Sequence, residues 1–201
     1  MDDTEDDGGT HTVELSLSDD EYARLQELGE PGTVAEEALR RELTVREAVA
    51  GVERRRRGEA DGPVGVPSPG PLADSPVGST LGWEVESVGD GEAVMSMEAT
   101  ARHANRGGAV QGGVITALAD TTTAFAFMTT LEEGETTTNI ELKVNFLRPT
   151  FEDRLEATAT VVERGRTTGL VECDVHNSEG KLVARLSTTY MVLRGDRAEG
   201  R

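Results

Sequence analysis

Asn105 to Asp120 reads NRGGAVQGGVITALAD, and the rest of the chain is best read outward from it. A glycine-rich turn ends in Gly112-Gly113 and passes straight into an apolar segment, Val114 to Leu131, long enough for a helix of about 30 Å. Free backbone N–H groups at such a helix start can hold an oxyanion or polarise a carbonyl. Asp120 is the only charged residue between Arg106 and Leu131. A carboxylate placed in that apolar run must offset its desolvation, and base or nucleophile chemistry is one reason to keep it.

Strand patterns flank this helix. Gly82 to Val88 and Glu92 to Thr100 precede it, joined by a Gly-Asp-Gly turn. Thr137 to Leu147, Arg154 to Glu163, Thr168 to Asn177 and Lys181 to Leu193 follow it. The first of these alternates, with Ile140, Leu142, Val144 and Phe146 on one face and Glu141, Lys143 and Asn145 on the other. One long helix amid five or six antiparallel strands predicts an α+β domain over residues 77–194, its sheet wrapped around a helix that is apolar nearly all round. Phe125, Phe127 and Met128 are read as core residues of that helix.

The N-terminal part is organised differently. Residues 1–10 form an acidic, glycine-containing tail expected to be disordered. Val13, Leu15 and Leu17 alternate with Thr12, Glu14 and Ser16, which predicts a short strand. Ser18 with Glu21 and Thr33 with Glu36 are capping boxes that start two helices, the first stopped by Gly29 and Pro31. This strand and helix pair, residues 11–57, resembles a ribbon-helix-helix unit, which implies dimerisation through paired strands. Glu14 would meet phosphate repulsion on a DNA-reading strand, and residues 1–60 hold 8 basic against 17 acidic residues. The basic run Arg54 to Arg57 follows the second helix and is read as a solvated helix end. The segment is therefore expected to dimerise the chain. Residues 58–76 hold five of the seven prolines and form a linker, and residues 195–201 a C-terminal tail.

Composition narrows the setting. The formal net charge is −18 over 201 residues, and only Lys143 and Lys181 are lysines. Acidic excess with scarce lysine predicts a cytoplasmic protein of a high-salt cell, and argues against nucleic acid as the main partner. The single cysteine, Cys173, fits a reducing compartment and a small core residue. MDDTEDDGG lacks the apolar region of a secretory signal, and Asp120 with six threonines argues against a membrane span over 114–131. His11 and His176 have no ligand partners in the pattern, so neither a metal nor a cofactor is expected.

The ordered set His103, Asn105, Gly107, Gly112-Gly113, Asp120, Asn145-Phe146-Leu147-Arg148-Pro149 and Gly165-Arg166-Thr167 resembles the hotdog-fold acyl-CoA thioesterases of the phenylacetic-acid-degradation type. The resemblance covers residues 77–193 and implies hydrolysis of an acyl-CoA thioester. It implies that Asp120 is the general base or the nucleophile, that the Gly112 N–H polarises the carbonyl, and that Asn105 assists. Many relatives carry His-Gly-Gly where this chain has Gln111-Gly112-Gly113. Gln111 hydrogen-bonds but does not titrate, so no proton-shuttling role carries over. By analogy with a polar residue in relatives, Thr138 or Asn139 orients the attacking water. His103 is read as a loop residue.

Spacing adds a constraint. Gly112 and Asp120 are eight residues apart, about 12 Å along one helix. Base and oxyanion donor must both reach one thioester carbon, so the site is expected across a two-fold homodimer, alone or paired into a tetramer. Thr116 and Thr123 share the helical face of Asp120 and are expected to bond its carboxylate. Gly113 belongs to the substrate-facing turn. Arg148 and Arg166, with Arg106 and Arg164, are candidate contacts for coenzyme A phosphates. Two other readings remain: an acyl-CoA-sensing regulator with a DNA-binding N-terminal unit, and a dehydratase or hydratase on the same fold.

Overall fold

The structure, a computed structural model, describes residues 12–57 and 75–195. The chain divides into two compact units, one ending at Glu42 and the other beginning at Leu43. The acidic tail, residues 58–74 of the expected linker, His11 and residues 196–201 lie outside the described residues.

In the first unit, α1 (Asp19–Leu28) starts as its capping box predicts. The Ser18 N–H and hydroxyl donate to the Glu21 carboxylate at 2.9 and 2.7 Å, and the Glu21 N–H donates back to Ser18 Oγ at 3.4 Å. Helix α2 (Pro31–Arg56) starts two residues before the predicted Thr33. Pro31 takes the first helical position, where a missing N–H costs nothing. Glu30, in place of the expected Thr33–Glu36 box, accepts from the Thr33 N–H at 2.7 Å and hydroxyl at 3.0 Å. Glu36 instead pairs with Arg40 one turn on, at 2.7 Å. Arg54 lies inside α2, so the basic run begins within the helix and not after it. Residues 12–18 carry no strand, and Val13 and Leu15 are 63% and 61% exposed. A ribbon needs a second strand to pair with, and a single copy of this segment supplies none.

The second unit holds the sheet. Helix α3 (Pro76–Leu81) begins where the linker was expected to end, with Ser75 accepting from the Gly78 N–H and Pro76 at its first position. Strands β1 (Trp83–Gly89) and β2 (Glu92–Ala99) form a hairpin. Helix α4 (Gly112–Met128) follows, then β3 (Glu135–Phe146), β4 (Asp153–Arg164), β5 (Thr168–Asn177) and β6 (Leu182–Arg194). All pairings are antiparallel, in the order β1-β2-β4-β5-β6-β3. This is the expected α+β architecture, with α4 packed against all six strands.

Alternation explains why the sheet accepts the helix. Met95 and Met97 of β2, Leu155, Ala157 and Ala159 of β4, Val171, Cys173 and Val175 of β5, and Leu186 of β6 are all essentially inaccessible. They face Ile115, Leu118, Ala119, Ala126 and Phe127 of α4. The threonines of α4 do not spoil this core, because their hydroxyls turn back onto the helix. Thr116, Thr121 and Thr122 donate to the carbonyls of Gly112, Ala117 and Leu118 at 2.8 to 2.9 Å. The helix stops at Met128, three residues short of the predicted Leu131. Thr129 and Thr130 there donate their hydroxyls to the carbonyls of Ala126 and Phe127.

Gly169 marks the closest approach of sheet and helix. A Cβ added there would lie 2.1 Å from the Phe127 ring and 3.0 Å from the Glu163 carbonyl oxygen. Gly169→Ala is therefore expected to destabilise the protein by about 1–3 kcal/mol through overpacking. Denaturant titration, with the midpoint falling at unchanged slope, is the check.

Candidate active site

The loop before α4 is fastened on several sides. The Asn105 side chain accepts from the Gly107 N–H at 2.8 Å, and the Asn105 N–H donates to the Ala109 carbonyl at 2.7 Å. Val110 and Gln111 donate their N–H groups to the carbonyls of Thr150 and His103, at 2.9 and 2.7 Å. Asn105 thus caps its own turn. His103 also serves the loop, its Nδ1 accepting from the Thr100 N–H at 3.0 Å.

Gln111 is the N-cap residue of α4, and its side chain makes no cap bond. The N–H groups of Gly112 and Gly113 have no acceptor among the described residues. They are the free donors expected at a helix start. Phe146, at the end of β3, rests its ring on Gly112: a Cβ at that position would lie 3.0 Å from Phe146 Cζ. Phe146 shares its alternating face with Leu142 and Val144 in the sequence pattern, yet it is 55% exposed. It lies beside the donors, on the open side of the helix start.

Asp120 sits two turns further along α4, half-buried, and accepts from Asn139 Nδ2 at 3.0 Å. Between Thr138 and Asn139 the geometry favours Asn139: the Thr138 hydroxyl points at the Asn139 carbonyl, 3.5 Å away. A β-bulge puts Asn139 there. Opposite β6, Asn139 pairs with Tyr190 and Glu141 with Thr189, leaving Ile140 as the extra residue. Leu142 and Val144 pack on the core, as their alternation predicts. Unbroken alternation would point Ile140 and Thr138 the same way. The bulge reverses that parity, so Ile140 is 53% exposed and Asn139 turns in to the acid.

The threonines behave differently from expectation. Neither Thr116 nor Thr123 bonds the Asp120 carboxylate. The Thr116 hydroxyl goes to the Gly112 carbonyl, and the inaccessible Thr123 hydroxyl donates to the Asp120 backbone carbonyl at 2.8 Å. A helical threonine in this rotamer reaches the previous turn's carbonyl before it reaches a side chain on the same face.

Burial raises the Asp120 acid above the usual carboxylate range, and the Asn139 bond works against that rise. A carboxyl group so placed titrates closer to neutrality than an exposed aspartate. Cys173 is pushed up to about 12 by burial and by neighbouring Asp174, so it remains a neutral core thiol.

Of the arginines, Arg164 leaves the set of candidate phosphate contacts. Its Nη2 bonds the buried Glu135 carboxylate at 2.6 Å, and its guanidinium lies 5.6 Å from the Phe127 ring centroid. Arg148 is exposed and donates to the Leu182 carbonyl at 2.6 Å. Arg106 and Arg166 are exposed and have no ion-pair partner among the described residues. No group of three or more His, Cys, Asp or Glu among the described residues is placed to hold a metal ion, and no described helix is long and apolar enough to cross a membrane.

The profile of the thioesterase superfamily matches residues 107–184, the stretch running from the glycine turn into β6. A putative esterase of Haemophilus influenzae is 32% identical over 117 residues, covering 57% of this chain and 85% of the relative. The chain belongs to the thioesterase superfamily. Acyl-coenzyme A thioesterase PaaI of Escherichia coli is 35% identical over 105 residues, covering 52% of this chain and 73% of the relative. The crystal structure of a thioesterase of Haemophilus influenzae superposes with a TM-score of 0.58 at 30% identity, covering 61% of this chain and 85% of that one. Membership makes this chain a thioester hydrolase in the general sense, on a hotdog fold. These two relatives and this structure each align with about half to three-fifths of the chain.

The raised Asp120 acid has a consequence for stability. An acid whose value is higher folded than unfolded favours the folded state below its unfolded value, and loses that contribution as pH rises through its folded value. At neutral pH the buried carboxylate is therefore a cost. Asp120→Asn is expected to melt at higher temperature than wild type at pH 7. The gain should shrink as pH falls from neutrality toward about 4 and be gone below it, where the wild-type acid is protonated both folded and unfolded. Calorimetry at a series of pH values reads this directly.

Proposed function

We propose that the hotdog unit hydrolyses acyl-coenzyme A thioesters to the free acid and coenzyme A. The observation that carries this reading is half-buried Asp120, hydrogen-bonded by Asn139, on the helix whose start presents two free N–H donors. The similarity to an acyl-coenzyme A thioesterase adds the substrate class.

In the favoured course, the Asp120 carboxylate takes a proton from a water held near Asn139. The water oxygen bonds to the thioester carbon, and the carbonyl electron pair moves onto oxygen, where the Gly112 N–H holds it. The carbonyl then re-forms as the C–S bond breaks. The departing thiolate takes the proton that Asp120 carries, giving acid, thiol and the starting carboxylate. In the alternative course the Asp120 carboxylate attacks the thioester carbon and the C–S bond breaks to release coenzyme A as thiolate. Water then opens the resulting anhydride at the aspartyl carbonyl, its displaced proton going to the thiolate. Single turnover in ¹⁸O-water separates the two, because only the anhydride course leaves label in the enzyme.

Donor and acid of one copy are about 12 Å apart along α4. The reading therefore takes Gly112 from one copy and Asp120 from another in a homodimer, which two-fold symmetry makes into two equal sites. Exposed Ile140, Phe146, Leu147 and Phe151, along the β3 edge and just beyond it, give that dimer an apolar surface to cover. Arg106, Arg148 and Arg166 are the candidates for the coenzyme A phosphates. The N-terminal segment, with its exposed Val13, Leu15 and Leu17, adds a second dimer contact.

Thiol release from an acyl-coenzyme A panel in molar KCl tests the assignment. Asp120→Asn should lower kcat by about 10²- to 10⁴-fold, the ordinary worth of a general base. Retained activity would remove Asp120 from the role, and no activity of the wild type on any member would remove the substrate class. Shared sites make a second prediction. Gly112→Pro deletes the donor at the first helical position, where proline's missing N–H is tolerated. Its Cβ requires the exposed Phe146 ring to shift by a few tenths of an ångström, and circular dichroism can verify the fold. Random mixing of this inactive variant with Asp120→Asn makes half the dimers hybrids with one intact site each, restoring about a quarter of wild-type activity.

A further inference from the structure

We infer that Tyr190 is a positioning residue for the Asp120–Asn139 pair, fastening the helix that carries the acid to the strand that carries its partner. The inference rests on the reading of Asp120 as the reacting carboxylate.

Tyr190 lies in β6 and is 2% exposed. Its backbone is the register partner of Asn139, the last β3 residue before the bulge. A bulge interrupts the ladder, so β3 alone holds Asn139 less firmly than an unbroken strand would. The other end of Tyr190 reaches α4. Its phenol oxygen is 2.9 Å from Thr123 Oγ1. Thr123 spends its single hydroxyl proton on the Asp120 carbonyl, so the phenol is the donor to Thr123. The Tyr190 ring also stacks on Phe127, with centroids 4.8 Å apart and planes 12° from parallel.

One side chain thus touches α4 at Thr123 and at Phe127, three and seven residues beyond Asp120, while its backbone sits opposite Asn139. Slip or rotation of α4 against β3 would stretch the Asp120–Asn139 bond, and Tyr190 spans that gap. Two titratable groups face the phenol, Asp120 from α4 and Cys173 from β5. Burial raises the phenol first, the Thr123 hydrogen bond opposes that rise, and both groups add to it. It therefore stays protonated and donates to Thr123 without exchanging protons in the reaction. The Asp120 carboxylate, in turn, is governed by its burial and by Asn139.

The test is the pH profile of kcat/KM on the acyl-coenzyme A that wild type turns over fastest. The variants are Asp120→Asn, Asn139→Ala, Tyr190→Phe, Thr123→Val and the Tyr190→Phe/Asn139→Ala pair. Tyr190→Phe keeps the ring and its stack on Phe127. It should lower kcat about tenfold while KM stays within about twofold, the pattern of a misplaced reacting group. Losing the Asn139 bond raises Asp120, so the acid limb should move to higher pH in Asn139→Ala and in the same direction in Tyr190→Phe and Thr123→Val. The double variant should move no further than Asn139→Ala alone, because one interaction cannot be lost twice.

An acid limb unmoved in both Tyr190→Phe and Thr123→Val, or additive shifts in the double variant, would overturn the inference. A purely structural tyrosine would lower the melting temperature and leave the limb in place. If Asp120→Asn retains wild-type rate and limb, Asp120 is not the base, and the inference falls with that reading for a separately visible reason.

Discussion

Helix α4 has no polar face, and that constraint organises the hotdog unit. Seventeen residues from Gly112 to Met128 contain one charged side chain, so nearly the whole surface of the helix must be covered. A six-stranded sheet that touches it along every strand does the covering. Small inner-face residues such as Ala157, Ala159 and Gly169 let the sheet approach closely enough to exclude water. The same exclusion raises the acid at Asp120. Core formation and tuning of the carboxylate are one physical event.

Polarity then enters the site only where the packing is deliberately irregular. The bulge at Ile140 sends one apolar side chain outward and brings an amide inward, and that single reversal gives Asp120 its partner. The threonines of α4 stay out of the site by bonding their own helix. The site that results is sparse, with one acid, one amide, two backbone donors and an aromatic ring resting at the helix start.

Much of this was legible in the sequence. The lone acid in an apolar run, the glycine turn before it and the strand patterns pointed to the helix, five or six strands and the motif set without any coordinates. The irregular features were not legible, because they depend on what lies opposite. Unbroken alternation through Ile140 looks the same in sequence whether or not β6 skips a residue, so the bulge and the Asn139–Asp120 hydrogen bond it allows depend on the register. Thr116 and Thr123 share a helical face with Asp120, but facing does not say which acceptor is nearer. Thr33 with Glu36 matches the commoner capping pattern, and only the fold shows Glu30 accepting from Thr33 instead. Arg164 looked like a surface arginine until Glu135, twenty-nine residues earlier in the chain, was found beneath it.

The loop that leads into α4 is tied through Asn105 to its own turn, through Val110 to Thr150, and through Gln111 to His103. Its two glycine amides are therefore fixed in direction by bonds on either side of the turn. In the proposed reaction a carbonyl held there would meet dipoles already oriented, so little ordering cost would remain as charge develops. Re-aiming these amides toward a differently shaped ligand would mean breaking the bonds that fasten the loop.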